Sequence, residues 1–226
     1  MTIDKSSFSS NWAYGQAKSN YHFDNDLLDK MGQYSFAAGR FEGDWSAELE
    51  TVKANTSPLT WRNRKGTVSD MIDAEEADLV NAGAPADMTI SDYYTGDWAD
   101  IPKINSMVDV FGLTNVEKKL HVHNLGQGWN IHIDKLEDRN PSDPSRVYRF
   151  MVQLTDWEPG HFVLYGNHHH QAWKAGDITW FDWANTPHAT ANMNYKPRIM
   201  LMVTGVATAK TDEFINNATI KNRYSV

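Results

Sequence analysis

The sequence has no cysteine and no long apolar run, and each absence excludes a class of protein. Without cysteine there is no disulfide scaffold, no iron–sulfur cluster and no thiol nucleophile. The longest uncharged, mainly apolar run, residues 199–209, has 11 residues, whereas a membrane-spanning helix needs about 20. Residues 1–7 contain no apolar segment, which predicts that there is no signal peptide and that the protein is cytoplasmic.

Positive charge is also scarce. The chain carries 21 Lys and Arg against 29 Asp and Glu, a formal net charge of −8, so it lacks the basic surface expected of a nucleic-acid-binding protein. Its composition, 41% hydrophobic and 22% charged, is typical of a folded globular chain. A length of 226 residues suits one domain with a sizeable extension.

The hydrophobic pattern changes near residue 115. Before that point the spacing of apolar residues predicts helices over residues 24–31, 67–83 and 101–112. From residue 118 onward apolar and polar residues alternate, as in strands. The predicted strands cover residues 118–123, 129–134, 147–154, 161–165, 177–183 and 198–206.

Many short strands at close spacing indicate a β-sandwich or barrel. We therefore expect a mainly β protein with a helical N-terminal part and a double-stranded β-helix core of the jelly-roll or cupin-like type. The expected organisation is a single domain over residues 1–226. Residues 1–115 form a mostly helical or irregular extension, 116–208 the core, and 209–226 a helical or extended tail.

The strongest local signal for chemistry is the pair His132 and Asp134. Residues two apart on a strand point to the same face, so an imidazole and a carboxylate converge on one point. His188, in the segment Asn-Thr-Pro-His-Ala-Thr, is the best candidate for a third ligand. Two His and one carboxylate form the facial arrangement of non-haem Fe(II) oxygenases, although a His-x-Asp pair also occurs by chance in a chain with nine His.

Arg198 begins the last apolar strand, and a buried guanidinium needs an anionic partner. One candidate partner is an acidic side chain of the protein itself. The other is a dicarboxylate co-substrate that chelates iron through its 2-oxo acid end and presents its far carboxylate to Arg198.

Taken together, these residues resemble the Fe(II)- and 2-oxoglutarate-dependent dioxygenases. His132-x-Asp134 is followed by 53 intervening residues, His188 and then Arg198. Residues 146–164 and 176–188 are similar to the core pattern of the prolyl-hydroxylase-like members, and the resemblance covers roughly residues 118–206. The sequence departs from that pattern at His161, where a second glycine is usual, and at Gln153, where a tyrosine often contacts the co-substrate.

The resemblance implies an oxygenase that hydroxylates a C–H bond and forms succinate and CO2. His132, Asp134 and His188 would bind Fe(II), and Arg198 would bind 2-oxoglutarate with Gln153 as a second contact. The implied partners are 2-oxoglutarate, dioxygen and an unidentified small-molecule or peptidyl substrate, with no membrane or nucleic acid.

A cupin-type metal-dependent binding protein, isomerase or epimerase is the alternative. His188-x-x-x-Asn192 matches the end of a second cupin motif. The first cupin motif needs His-x-His with a nearby Glu, but His121-x-His123 is followed by Asn124 and the next Glu is Glu137. A catalytically inactive jelly roll is a third interpretation.

Two further segments flank the predicted site. The run His168–His170, flanked by Gly166 and Asn167, is predicted to lie at a hairpin tip, where it would either face solvent or contact substrate. The charged, Pro-containing segment 135–145 is either a lid or a solvated loop.

Overall fold

The protein is described from a computed structural model that covers residues 34–60 and 89–226. Three helices lie in these residues: α1 (Ser46–Ala54), α2 (Pro102–Val110) and α3 (Ala209–Asn216). The strands are β1 (Phe36–Glu42), β2 (Thr56–Thr60), β3 (Thr89–Tyr94), β4 (Leu113–His123), β5 (Gly128–His132), β6 (Val147–Gln153), β7 (His161–Tyr165), β8 (His168–His170), β9 (Asp177–Trp180), β10 (His188–Asn192), β11 (Arg198–Ala207) and β12 (Arg223–Ser225).

The strands form two sheets. The larger has eight strands in the order β12-β1-β9-β6-β11-β4-β3-β2, and the smaller has four in the order β5-β10-β7-β8. In the core, β4, β6, β9 and β11 lie in the larger sheet and β5, β7, β8 and β10 in the smaller one, so apart from the β7–β8 hairpin the pairings join strands distant in sequence. The expected mainly β fold with a double-stranded β-helix core is confirmed.

Alternation along β11 shows how the larger sheet divides its two faces. Ile199, Leu201 and Val203 belong to an apolar cluster that includes residues of α2 and α3. Met200 and Met202, on the opposite face, belong to a second cluster between the two sheets. The helices therefore cover the outer face of the larger sheet, and the inner face is left for the interior of the jelly roll.

The outer core is built on aromatic contacts around Phe111, which is fully buried at the end of α2. Its ring stacks on Phe150 with the centroids 4.4 Å apart and meets Phe41 and Phe214 edge-on at 6.0 and 5.4 Å. Such offset and edge-on contacts are the preferred geometries of aromatic rings. They attach α2 and α3 to the sheet.

The predicted helix at residues 101–112 is confirmed as α2. Pro102 lies in its first turn, where the missing N–H costs nothing. Gly112 follows with φ +62°, a conformation that favours glycine and ends the helix. In the C-terminal tail, α3 begins with a capping box between Thr208 and Thr211, and β12 pairs in parallel with β1.

The expected mostly helical N-terminal part is not confirmed. In residues 34–60 and 89–115 two helices, α1 and α2, stand beside strands β1, β2 and β3, all of which join the larger sheet. These strands are specified by pairing with distant strands, which local periodicity does not reveal. The helices predicted over 24–31 and 67–83 lie outside the described residues, and the single-domain organisation stays a prediction.

None of the helices in the described ranges has the length and apolar character that crossing a bilayer requires.

Candidate active site

His132 is the last residue of β5 and Asp134 lies two residues beyond it, so the predicted strand over 129–134 is shorter than expected. Beyond the end of β5 the backbone is held by a hydrogen bond, in which the Asp134 N–H donates to the carbonyl oxygen of Trp183 at 3.0 Å. Both side chains are buried. Ile133, between them, is buried as well.

The third predicted ligand comes from the neighbouring strand. His188 begins β10 and is the direct antiparallel partner of His132 in β5. Its Nε2 lies 3.5 Å from Asp134 Oδ2, and His132 Nε2 lies 3.8 Å from Asp134 Oδ1. One ligand atom from each of the three residues lies within 4.8 Å of the other two. The fold therefore brings together all three residues that the sequence singled out.

Both imidazoles are fixed in the tautomer that suits a metal ligand. His132 Nδ1 lies 2.7 Å from the carbonyl oxygen of Asn130, and His188 Nδ1 lies 3.1 Å from that of Thr186. A carbonyl oxygen only accepts, so each Nδ1 carries the proton and donates it. Each Nε2 then has its lone pair directed at the shared point, which is the usual arrangement around a protein-bound metal.

Apolar and aromatic side chains surround these imidazoles. The Phe181 ring lies 4.7 Å from that of His188, and the Trp129 ring lies 5.5 Å from that of His132. Burial lowers the pKa of His188 although Asp134 opposes the shift. The imidazole is therefore neutral at physiological pH, as metal binding requires.

Arg149 is an ionic partner of the site that the sequence did not assign. It lies on β6, is buried, and its Nη1 donates to Asp134 Oδ2 at 2.5 Å. Burial alone would raise the pKa of Asp134, but the positive charge and hydrogen bond of Arg149, with a smaller contribution from the neighbouring His188 and His132, outweigh it and bring the pKa to about 2. The carboxylate is thus ionised and available as a ligand.

Arg198 is fully buried at the start of β11. Its Nη1 donates to Gln153 Oε1 at 3.3 Å, and its Nη2 donates to His123 Nδ1 at 3.1 Å and to Thr190 Oγ1. Burial lowers the pKa of Arg198 to about 10, which leaves it charged at neutral pH. Within residues 34–60 and 89–226 no carboxylate lies within ion-pair distance of this guanidinium.

The groups around Arg198 leave several hydrogen-bond donors unmatched. Because Arg198 only donates, His123 Nδ1 accepts, and the proton of this neutral imidazole lies on Nε2. Burial, with the charge of Arg198, holds the pKa of His123 well below its usual value. In the described part of the chain, His123 Nε2, Gln153 Nε2 and Arg198 Nε are buried without a hydrogen-bond partner. These unmatched donors, one on the Arg198 cation and two beside it, could hold an anion such as a carboxylate.

All five predicted site residues lie in the interior, in two groups. His132, Asp134 and His188 form the candidate metal-ligand cluster, while Arg198 and Gln153 belong to the candidate anion subsite. The sequence assigned no ionic partner to Arg149 and pointed to His123 only as part of an incomplete cupin motif. Arg149, like Arg198, is a charged residue in an otherwise apolar strand, and this is the signal that could have found it.

The other candidates have structural partners. His121 Nδ1 lies 3.0 Å from Ser91 Oγ, and both residues are buried. His168–His170 forms β8, which pairs with β7 across the turn at Gly166 and Asn167. The three residues therefore lie on the second strand of a hairpin, and the prediction that they lie at its tip is wrong. Segment 135–145 contains short 3₁₀ turns at Glu137–Arg139 and Pro144–Arg146, and its role as a lid stays a prediction.

Comparison with solved structures finds similar folds. The non-haem α-ketoglutarate-dependent epimerase SnoN from nogalamycin biosynthesis is 14% identical, with 82% of this chain and 85% of that chain covered and a TM-score of 0.50. A prolyl-4-hydroxylase of Pseudomonas putida is 15% identical, covering 82% and 99%, with a TM-score of 0.42. A cupin 2 conserved barrel protein of Salinispora arenicola is 16% identical, covering 44% and 69%, with a TM-score of 0.29.

At such identities the likeness to SnoN shows a shared fold and nothing more specific. Neither the protein-family models nor the curated proteins include a match to this sequence.

Proposed function

We propose that this chain is a non-haem Fe(II)- and 2-oxoglutarate-dependent oxygenase. It would hydroxylate a C–H bond of a small-molecule or peptidyl substrate and convert 2-oxoglutarate to succinate and CO2. The observation that carries the proposal is the pairing of two neighbouring sites in one interior: a His-Asp-His cluster with its donor atoms converging, and a buried, carboxylate-free Arg198 among unmatched donors.

The donor set fits Fe(II). Two imidazole nitrogens and one carboxylate oxygen form the 2-His-1-carboxylate arrangement that leaves coordination positions open for substrate and dioxygen. His132 Nε2, His188 Nε2 and Asp134 would hold the ion. When bound, the iron supplies the oxidative chemistry with dioxygen, while the protein supplies orientation and a dry surrounding.

The spacing of the two sites supports a short dicarboxylate as the co-substrate. His188 and Thr190 are two residues apart on β10, and Thr190 accepts a hydrogen bond from Arg198. Two residues of strand cover roughly 7 Å, and an extended chain of five carbons covers about 5 Å between its ends. Arg198, Gln153 and His123 would hold the far carboxylate of 2-oxoglutarate by donation from Nη, Nε and amide groups, with the 2-oxo acid end directed at the metal ligands.

The cupin alternative lacks a ligand set in this arrangement. A cupin-type centre would use His121 and His123, which lie on β4 in the larger sheet. Their Nδ1 atoms are engaged by Ser91 and Arg198. The metal-ligand cluster of the described residues contains neither of them.

The test is an anaerobic titration of metal-stripped protein with Fe(II) and then 2-oxoglutarate, followed by visible spectroscopy. We expect a weak charge-transfer band that needs both additions, because it arises from the 2-oxo acid chelated to iron. His188→Ala should abolish the band by removing an iron ligand. Arg146→Met is the matched control, since Arg146 pairs with Asp212 at 2.8 Å and neither residue belongs to the metal-ligand cluster.

Absence of the band in the wild-type protein, with or without bound iron, would refute the proposal. In aerobic solution we also expect slow formation of succinate from 2-oxoglutarate that depends on Fe(II) and is lost in His188→Ala.

A further inference from the structure

Arg149 lies where it can set the orientation of the Asp134 carboxylate toward a bound metal. Its Nη1 donates to Asp134 Oδ2 at 2.5 Å, and both side chains are buried. A buried charge-assisted hydrogen bond of this kind holds a carboxylate in a single orientation. Asp134 Oδ1 accepts no hydrogen bond from the described residues and lies 3.8 Å from His132 Nε2.

Thr204 holds the Arg149 guanidinium on the side away from Asp134. Arg149 Nε donates to Thr204 Oγ1 at 2.9 Å. Thr204 is fully buried on β11 and is the direct cross-strand partner of Arg149 on β6. The guanidinium is therefore held at two of its nitrogens, by Thr204 on one side and by Asp134 on the other.

The charges of Arg149 and Asp134 also support a role of Arg149 toward Asp134. Arg149 and Asp134 together are neutral, so the cluster can be buried before any metal arrives. Arg198 differs, because the described residues give it no carboxylate. The two interior arginines therefore have different tasks, one toward a ligand of the protein itself and one toward a bound anion.

We infer that Arg149 is a positioning residue for the metal, anchored by Thr204: it holds Oδ2 of Asp134 so that Oδ1 stays directed at the metal position. This inference rests on the proposed function. An unanchored carboxylate must be ordered when the ion binds, and loss of such outer partners typically costs about 10–100-fold in metal affinity or activity.

The test measures Co(II) affinity by calorimetry and the d–d absorption bands of bound Co(II), which report ligand geometry. We expect Arg149→Met to weaken Co(II) binding by about 10–100-fold and to shift the bands. Val has nearly the same shape as Thr, so Thr204→Val removes the hydroxyl that accepts from Arg149, through which Thr204 contacts the cluster. It should give a smaller change of the same kind.

The double variant separates positioning from a general effect on stability. If Thr204 acts through Arg149, adding Thr204→Val to Arg149→Met should change Co(II) affinity by less than about twofold, whereas independent effects would add. Arg146→Met, which breaks the Arg146–Asp212 pair, should leave affinity and bands unchanged.

The outcomes are distinguishable from those of the proposed function. If the wild-type protein binds no Co(II), or if His188→Ala binds Co(II) as tightly as the wild-type protein does, the proposed function is overturned. A wild-type protein that binds Co(II) through His188, with affinity and bands unchanged in Thr204→Val and Arg149→Met, overturns only the positioning role. Should Arg149→Met not fold, Thr204→Val decides by itself.

Discussion

Replacing Arg198 with Met tests the anion subsite most directly. Met keeps the apolar stem and removes the charge and all donors from a fully buried position. Removing one partner of a buried ion pair costs about 3–5 kcal/mol. At about 1.4 kcal/mol per tenfold change, the affinity for 2-oxoglutarate should fall by about 10²–10⁴-fold.

A second ligand makes the measurement specific. 2-Oxovalerate has the same five carbons and a methyl group where 2-oxoglutarate has its far carboxylate, so it offers Arg198 nothing to bind. Calorimetry on metal-loaded, anaerobic protein should show that the wild-type protein prefers 2-oxoglutarate strongly. Arg198→Met should lose most of that preference, with 2-oxovalerate affinity and metal content nearly unchanged.

The reasoning is refuted if Arg198→Met binds 2-oxoglutarate as well as the wild-type protein does. It is equally refuted if both ligands lose affinity by the same factor, because the far carboxylate would then have no special partner in Arg198. Arg146→Met provides the control for removal of an arginine elsewhere in the fold.

Three further predictions concern stability. Burial, with nearby positive charges, lowers the pKa of His121 to about 3. As the pH falls below ~6.5, His121 binds a proton in the unfolded chain but not in the folded protein. The stability of the folded protein is therefore complete above pH ~6.5 with respect to this residue and is lost as the pH falls toward 3. Between pH 7 and 5 urea unfolding should therefore show a loss about 2 kcal/mol larger in the wild-type protein than in His121→Gln; equal pH profiles would contradict this. Phe111→Ala should cost about 3–5 kcal/mol in the same assay, because Phe111 is fully buried, whereas the exposed Val116→Ala should change stability by less than about 0.5 kcal/mol. Saturating Co(II) should raise the melting temperature of the wild-type protein by mass action, and a similar rise in His188→Ala would show that the ion binds elsewhere.

Sequence periodicity predicted the parts of the fold that are specified locally. The alternation around His132 and Asp134 predicted a strand there, and β5 ends at His132 with Asp134 two residues beyond. The apolar spacing before Gly112 predicted α2, which the structure confirms. In each case the signal and the structure involve residues within a few positions of one another.

The remaining features depend on contacts between distant parts of the chain. The direct pairing of His188 with His132 and the contact of Arg149 with Asp134 are set by strand order. β1 was not predicted, because its sequence Phe-Ala-Ala-Gly-Arg-Phe-Glu has small residues and an irregular register between Ala37 and Gly39. Its pairing with β9 and β12, rather than its own pattern, makes it a strand.

The two halves of the site belong to sheets that should open at different free energies. Arg198 lies on β11, which is paired on both sides by β4 and β6 and is buried along most of its length. His132 lies on the five-residue strand β5, the outermost strand of the smaller sheet as the described residues define it. Short outer strands open by local fluctuation, whereas central strands exchange their amide hydrogens only on global unfolding. The protein should therefore be able to release its ion to a chelator and be reloaded while the anion subsite stays folded.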